Sequence, residues 1–286
     1  MYEPLPKIDQ FALLNIEGSA SIEFVNRLFS RKLSALKLDE ACLSLLLSAE
    51  GRVQNLFWCL RRTSGLDLLC REPESHRLQK LLQNYHFGEE ICFHPPKLIS
   101  AFWVAKGQEE DLLKEGAGLI VADGTKLKAL WKKSLFEFDL KGTKPSSSEP
   151  EDSDQWEEYR IQHLIPRLDY DYNTRTLAFD LGFESLCDSE KGCYVGQEII
   201  ERVRSRGKKI NKCLCALQFP GKVLPEEELV HPNQQDQRLG QLTKSVLKQR
   251  NGNYLALGYL KSSHLSKKIP VKAAGSGLIS LEIRQN

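Results

Sequence analysis

The sequence lacks the features that mark membrane, secreted and zinc-binding proteins. No apolar run approaches the roughly 18 residues that a membrane-spanning helix needs. The first residues do not show the basic and then apolar order of a secretory signal. No C-x-x-C pair or histidine doublet is present, which argues against a structural zinc site. We therefore expect a cytoplasmic protein with no membrane partner.

The chain also lacks an excess of charge of either sign. Its formal net charge is +2, so composition gives no general reason to expect a nucleic-acid partner. Its 286 residues are 41% hydrophobic and 27% charged, which is typical of a globular protein. A chain of this length buries about three quarters of its extended surface on folding. We expect two or three compact units in a monomer.

The cysteines are scattered along the chain rather than arranged as a disulfide framework. Because the chain shows no export feature, we interpret them as free thiols. The spacing of Cys187, Cys193, Cys213 and Cys215 is compatible in principle with a metal or a cluster. However, Cys213 and Cys215 share one face of a predicted alternating strand with Leu217 and Phe219, where small thiols usually belong to a core. No metal site is predicted.

Hydrophobic periodicity predicts an α+β arrangement with an antiparallel sheet. Ser19 is the predicted cap of the first helix. Glu50-Gly51-Arg52 is the predicted turn of a hairpin. The predicted strands cover 11–16, 41–48, 53–61, 66–70, 97–105 and 131–140, and the predicted helices cover 19–29, 73–85 and 156–164.

The composition and the hydrophobic pattern change twice in the second half of the chain. Six acids and no base lie between Glu149 and Glu158, so we expect an exposed acidic loop near 141–155. From Cys213 onward, short alternating strands separated by turn residues predict a small β-barrel. The predicted domains are therefore a body at 1–207 and a barrel at 208–286.

The most specific stretch of the sequence runs from Lys191 to Glu198 and reads K-G-C-Y-V-G-Q-E. Its two glycines allow backbone conformations that a Cβ would forbid. Lys191 lies two residues before Cys193, and a nearby cation favours the thiolate form that reacts or binds metal. A helix from Gln197 would add its dipole to this effect. The stretch thus predicts Cys193 as a reactive centre with Lys191 lowering its pKa, although a tight turn with a buried cysteine is the simpler alternative.

This motif, with the I-I-x-R and R-G that follow it, resembles the signature of the YgfZ-type folate-binding proteins. That family is related to the glycine-cleavage T-protein, an aminomethyltransferase, and is associated with the assembly or repair of iron–sulfur clusters and thereby with support of tRNA modification. The resemblance implies a folate-binding body of two α/β subdomains with antiparallel sheets, followed by a small C-terminal β-barrel. It also implies tetrahydrofolate, with or without a polyglutamate tail, as the cofactor, and iron–sulfur client enzymes as partners.

Weaker echoes of the family occur elsewhere. Many members carry R-I-E-x-G-I-P where this chain has Arg160 to Pro166, so the resemblance implies that Gln162 stands where a carboxylate binds the pterin edge, and Leu164 where a glycine allows close approach. Arg52 matches an arginine at the hairpin turn. The implied folate-binding residues are Gly192, Tyr194, Gly196, Gln197, Glu198, Arg202, Arg206, Gln162 and Arg52, with Arg202 and Arg206 attracting the anionic tail.

Three hypotheses about function follow. The first is a tetrahydrofolate-binding accessory protein that supports iron–sulfur enzymes through Cys193. The second is a folate-dependent aminomethyltransferase, which needs a carboxylate near the reacting folate nitrogen; no acid stands out at a matching position. The third is a non-catalytic module in which Cys193 senses redox state. The sequence leaves open whether the chain is an enzyme.

Overall fold

The computed structural model describes residues 10–104, 119–122, 126–131, 134–139, 153–207, 210–267 and 269–285. Among these residues, strands outnumber helices in both halves of the chain. The helices are α1 (Ser21–Leu28), α2 (Glu72–Asn84), α3 (Ser153–Gln162), α4 (Gln197–Ser205) and α5 (Ser262–Leu265). The strands are β1 (Phe11–Glu17), β2 (Ala41–Leu47), β3 (Val53–Arg62), β4 (Gly65–Arg71), β5 (Cys92–Phe93), β6 (Lys97–Val104), β7 (Leu119–Ala122), β8 (Lys126–Trp131), β9 (Ser134–Asp139), β10 (Lys212–Phe219), β11 (Glu228–His231), β12 (Gln234–Lys248), β13 (Tyr254–Lys261), β14 (Lys272–Ala273) and β15 (Glu282–Gln285).

The chain divides into two compact units, each assembled from separate stretches of sequence. The first unit comprises Met1–Glu50, Gln54–Ser153 and Leu186–Gln197. The second unit comprises Gly51–Val53, Asp154–Ser185 and Glu198–Asn286. The domain boundary predicted at residue 207 stays a prediction.

The first unit is built on an antiparallel sheet that contains nine of the described strands. Their order is β2-β3-β4-β1-β6-β9-β8-β7, and β5 pairs with β1 off this path. Strand β1 is central because it pairs with both β4 and β6; Phe11 lies opposite Arg71 on one side and Ile99 on the other. The predicted hairpin of β2 and β3 is confirmed. Gly51 in its turn has φ of +70°, a conformation that glycine adopts without a steric penalty.

Helices α1 and α2 supply the core of this unit together with β1 to β4. Phe24, Val25 and Leu28 of α1 and Leu78 and Leu82 of α2 are buried in one hydrophobic cluster. The prediction that Ser19 caps α1 is wrong. The helix begins at Ser21 after Ala20 without a side-chain cap, while the Ser19 hydroxyl donates to Glu90 at 3.3 Å.

The second unit contains an antiparallel sheet of six described strands in the order β14-β11-β12-β13-β10-β15. As predicted, Cys215, Leu217 and Phe219 of β10 face its core, and Cys213 packs against it. The predicted barrel is not confirmed, because no sheet of the described residues closes on itself and this one ends at β14 and β15. Short alternating strands fix which side chains are buried, but they do not fix whether the two edges of a sheet meet.

Two further predictions need adjustment. The strand predicted at 131–140 is divided, since Trp131 ends β8 and Ser134 begins β9. Residues 141–152 of the predicted acidic loop lie outside the described residues, and Ser153 already belongs to α3. Within the described part of the chain, no helix is long and apolar enough to cross a membrane.

Candidate functional site

The K-G-C-Y-V-G-Q-E motif forms a loop that leads into α4, as the sequence predicts for its last residues. Lys191 and Tyr194 are buried, with 3% and 6% of their surface exposed, whereas the Cys193 side chain between them is exposed. Gln197 begins α4, and its side-chain oxygen accepts a hydrogen bond from the Tyr194 N–H at 3.3 Å. The loop therefore presents its cysteine to solvent between two anchored residues.

The two glycines of the motif have different reasons to be glycine. Gly196 has φ of +82°, so its backbone conformation favours glycine. Gly192 does not have a positive φ, and a Cβ built on it would meet no atom within 4 Å. Neither conformation nor packing in this structure requires a glycine at position 192. Its missing side chain leaves the space beside Cys193 open.

The Lys191 ammonium lies inside the first unit. It donates hydrogen bonds to the backbone carbonyls of Asn26 at 2.8 Å, Arg31 at 2.9 Å and Phe29, and it lies 5.1 Å from the centre of the Tyr194 ring. Burial lowers the pKa of Lys191 to about 8, and the charge of Asp188 opposes this shift. The role predicted for Lys191, to lower the pKa of Cys193, stays a prediction.

The eight cysteines are thiols outside any disulfide, and they differ in accessibility. Burial raises the pKa of Cys42 to about 11 and raises those of Cys59, Cys70 and Cys215 well above their usual range. Such thiols stay protonated and react slowly. Cys193 and Cys92 are the exposed ones, and only Cys193 lies in the motif.

The arginines that follow the motif lie on α4 and just after it. Arg202 pairs with Glu198 one turn earlier, with 2.5 Å between nitrogen and oxygen. Arg204 pairs with Glu201 at 2.6 Å and also donates to the Glu184 carbonyl at 2.9 Å. Arg206 is exposed. The pairing of Arg202 with Glu198 is solvent-exposed and weak, so it does not prevent Arg202 from meeting an anion.

Gln162 is the last residue of α3 and is oriented by its neighbours. Its amide nitrogen donates to Glu158 at 3.1 Å, so its oxygen is the atom that can accept from a ligand N–H. The helix ends in a Schellman-type cap, with the Ile165 N–H donating to the Arg160 carbonyl at 2.9 Å. Leu164 occupies the left-handed position of this cap, with φ of +55°. The glycine of the family motif would fit this backbone without strain.

Arg52 is held in place rather than extended into solvent. Its guanidinium donates to the Arg175 carbonyl, and its backbone forms an antiparallel bridge with Leu177. Asp180 belongs to the same unit, and burial raises the pKa of its carboxyl group. The positive charges of Lys212 and Arg52 oppose this rise. Arg52 and Lys212 are thus two cations of the second unit that act on one partly desolvated carboxyl group.

Sequence reasoning missed Asn55 on β3. This side chain is 0% exposed, and neither its amide nitrogen nor its oxygen has a hydrogen-bond partner in the structure. A buried polar group without a partner costs about 1–3 kcal/mol and calls for an explanation, such as a ligand. The signal was present in the alternation Val53, Asn55, Phe57, in which an amide interrupts an inward-facing apolar series.

The described residues therefore offer two kinds of functional group: an exposed thiol and polar groups suited to an organic ligand. Among the described residues, no group of three or more His, Cys, Asp or Glu side chains is placed to hold a metal ion. The amides of Asn55 and Gln162 offer hydrogen-bond donors and acceptors, and the arginines near α4 offer positive charge.

Comparison with known proteins identifies the fold of the chain. No protein-family model matches the chain, and no curated protein matches it. Among solved structures, the chain is similar to glycine cleavage system aminomethyltransferase T from Bartonella henselae, with a TM-score of 0.76 and 16% sequence identity over 98% of this chain and 84% of that one. At this identity the likeness concerns the fold alone. The chain therefore has the fold of an aminomethyltransferase T, with mixed α/β structure and antiparallel sheets.

Proposed function

We propose that the chain is a tetrahydrofolate-binding accessory protein that supports the assembly or repair of iron–sulfur enzymes through the Cys193 thiol. The observation that carries the proposal is the aminomethyltransferase T fold, because folate is the one-carbon acceptor in that class of reaction. The K-G-C-Y-V-G-Q-E motif adds the thiol, which sets the chain apart from a transferase.

Polar side chains of this chain suit the pterin ring of folate. The pterin ring of folate has an edge of neighbouring N–H donors and acceptors, which amide side chains match in both senses. Asn55 supplies a buried amide with unused donors and an unused acceptor, and Gln162 supplies an oriented amide oxygen. Each of these amides by itself can match part of a pterin edge, although a neutral amide binds it less strongly than a carboxylate does.

The remaining residues have proposed roles of their own. Arg202 and Arg206 attract the anionic glutamate tail, with Arg52 as a further cation. Five residues of the motif form the rest of the proposed folate-binding surface: Gly192, Tyr194, Gly196, Gln197 and Glu198. When bound, tetrahydrofolate supplies a reduced carrier of one-carbon units. Cys193 provides an accessible sulfur whose thiolate is the nucleophilic form.

An aminomethyltransferase is the second candidate, and the same fold favours it. That reaction needs a group that carries a proton near the folate nitrogen. The buried polar side chain without a partner on β3 is an amide, Asn55, which neither gains nor loses a proton near neutral pH. This favours the accessory role. A redox-sensing module without folate is the third candidate.

The test is the alkylation rate of Cys193 by iodoacetamide, followed by peptide mass spectrometry with and without tetrahydrofolate. Cys92 is exposed and serves as the reference thiol in the same molecule. We expect folate to slow the alkylation of Cys193 at least about tenfold relative to Cys92. Equal rates for Cys193 with and without folate would contradict a folate-coupled thiol. Folate binding accompanied by one-carbon transfer would favour the transferase.

A further inference from the structure

Two segments that are distant in sequence are joined in the first unit by a dense set of hydrogen bonds. The Asp188 N–H donates to the Ser30 carbonyl at 2.9 Å, and the Ser30 hydroxyl donates to the Leu186 carbonyl at 2.6 Å. The Asp188 carboxylate accepts from the Lys32 N–H at 2.7 Å and lies 3.5 Å from the Arg31 guanidinium. Residues 186–191 are thereby fixed to residues 26–32.

Lys191 completes this connection at the end of α1. The last carbonyls of a helix have no partner within the helix, and the cation satisfies the one at Asn26 together with those of Phe29 and Arg31 just beyond. An ammonium has three N–H donors, so all of them are used. A positive charge at a helix C-terminus is also favourable to the helix dipole.

The part of the chain that follows Lys191 is exposed for two residues and then buried again. Gly192 and Cys193 are exposed, whereas Tyr194 is buried and its N–H donates to the Gln197 side chain. The thiol therefore sits at the tip of a short segment that is held at both ends.

We infer that Lys191 is a positioning residue for Cys193: by binding three carbonyls at the end of α1, it holds the segment that presents the thiol. The inference rests on the proposed function, in which Cys193 is the reactive group. It assigns Lys191 an action through the backbone, because the donors of its ammonium are all directed at carbonyls. Asp188 and Ser30 act with it as parts of the same connection.

The test compares Lys191→Met with Asp188→Ala, a milder change at a side chain that is about 29% exposed, and with Lys37→Met as the matched control. Lys37 is 85% exposed and pairs with the Glu40 carboxylate at 3.9 Å. Each folate-free variant is measured by hydrogen exchange at peptide level and by the pH profile of Cys193 alkylation.

We expect Lys191→Met to speed hydrogen exchange at least about tenfold in residues 26–32 and 186–196, with Asp188→Ala giving a smaller increase in the same peptides. Exchange in β13 and the pH midpoint of Cys193 alkylation should stay as in the wild type, and Lys37→Met should change neither.

Three results would overturn the inference. The first is a raised pH midpoint of alkylation with unchanged exchange, which would assign Lys191 to thiol activation. The second is faster exchange throughout the chain, including β13, in both Lys191→Met and Asp188→Ala. The third is no change in any peptide. Because folate is absent from these measurements, their failure is distinct from a failure of the proposed folate function.

Discussion

Arg160 and Asp171 form a fully buried ion pair in the second unit, with 2.7 Å between the guanidinium and the carboxylate and no exposed side-chain surface on either residue. The pair is surrounded by hydrogen bonds to the sheet. Ser245 accepts from Arg160 at 2.6 Å, Thr243 donates to Asp171 at 2.6 Å, and Tyr259 donates to the Asp171 carbonyl at 2.9 Å. Helix α3, which carries Gln162, is thus tied to strands β12 and β13 by one polar network.

Removal of one member of this pair should be costly. We expect Arg160→Met to lower the free energy of unfolding by about 3–5 kcal/mol, because it leaves the Asp171 carboxylate buried without its counter-charge. The double variant Arg160→Met, Asp171→Leu should recover part of the loss. Urea unfolding of the single and double variants measures both effects. A single variant as stable as the wild type would show that the network is not buried in solution.

Asn55 offers a prediction in which stability and binding change in opposite directions. Asn55→Leu removes a buried polar group without a partner, so we expect the free energy of unfolding to stay the same or rise by about 1 kcal/mol. Tetrahydrofolate affinity should fall about tenfold or more, since the ligand loses hydrogen bonds to the amide. Calorimetric titration and urea unfolding measure the two quantities.

The matched control is Gln54→Leu on the same strand, where the amide oxygen already accepts from Arg77 at 3.0 Å. This control should leave folate affinity unchanged. Equal folate affinity in the wild type and Asn55→Leu would remove Asn55 from the ligand site.

We expect Lys191 to make the free energy of unfolding depend on pH in the alkaline range. Burial lowers its pKa from 10.5 to about 8, so between these values the unfolded chain binds more protons than the folded chain. Stability from this group therefore rises with pH from about 8 to 10.5, by about 3 kcal/mol, and is independent of pH below 8. The difference in unfolding free energy between the wild type and Lys191→Met should grow across this window. A constant difference would show that Lys191 titrates normally in the folded chain.

We expect a larger side chain at position 192 to limit access to the Cys193 thiol according to the size of the reagent. Because a Cβ at this position meets no atom within 4 Å, Gly192→Leu should leave the melting temperature unchanged. Iodoacetamide should alkylate Cys193 at nearly the wild-type rate. A bulky aromatic disulfide should react about fivefold more slowly, which corresponds to roughly 1 kcal/mol of barrier. Glu190→Leu, an exposed neighbour, is the control, and equal slowing by both variants would argue against a specific role for Gly192.

Local patterns predicted most of the elements, because they depend on neighbours in sequence. The alternation in β10 located its core face, and the glycine between the two apolar runs located the hairpin of β2 and β3. Ser19 was misjudged because Glu90, which is 71 residues away, takes its hydroxyl. The predicted barrel was not confirmed, because closure depends on which edge strands pair across the sheet and local patterns do not determine this pairing.

The site was predictable only in part for the same reason. The motif and its helix were visible as a string, so Cys193 and α4 could be located in advance. The carbonyls that hold Lys191 belong to residues about 160 positions earlier, and no spacing rule connects them to it. Asn55 had a readable signal, yet only burial together with the absence of a hydrogen-bond partner distinguishes it from an ordinary polar strand residue.

The contrast between sheltered and exposed thiols has a practical consequence for spectroscopy. Five cysteines are buried, and Cys213 is half-buried and lies 3.5 Å from the Ser262 hydroxyl. Replacement of Cys92 alone by serine should therefore direct a maleimide fluorophore to Cys193 without disturbing either core. A dye at that position would report the approach of a ligand or of another protein to the motif by changes in its emission wavelength and its anisotropy.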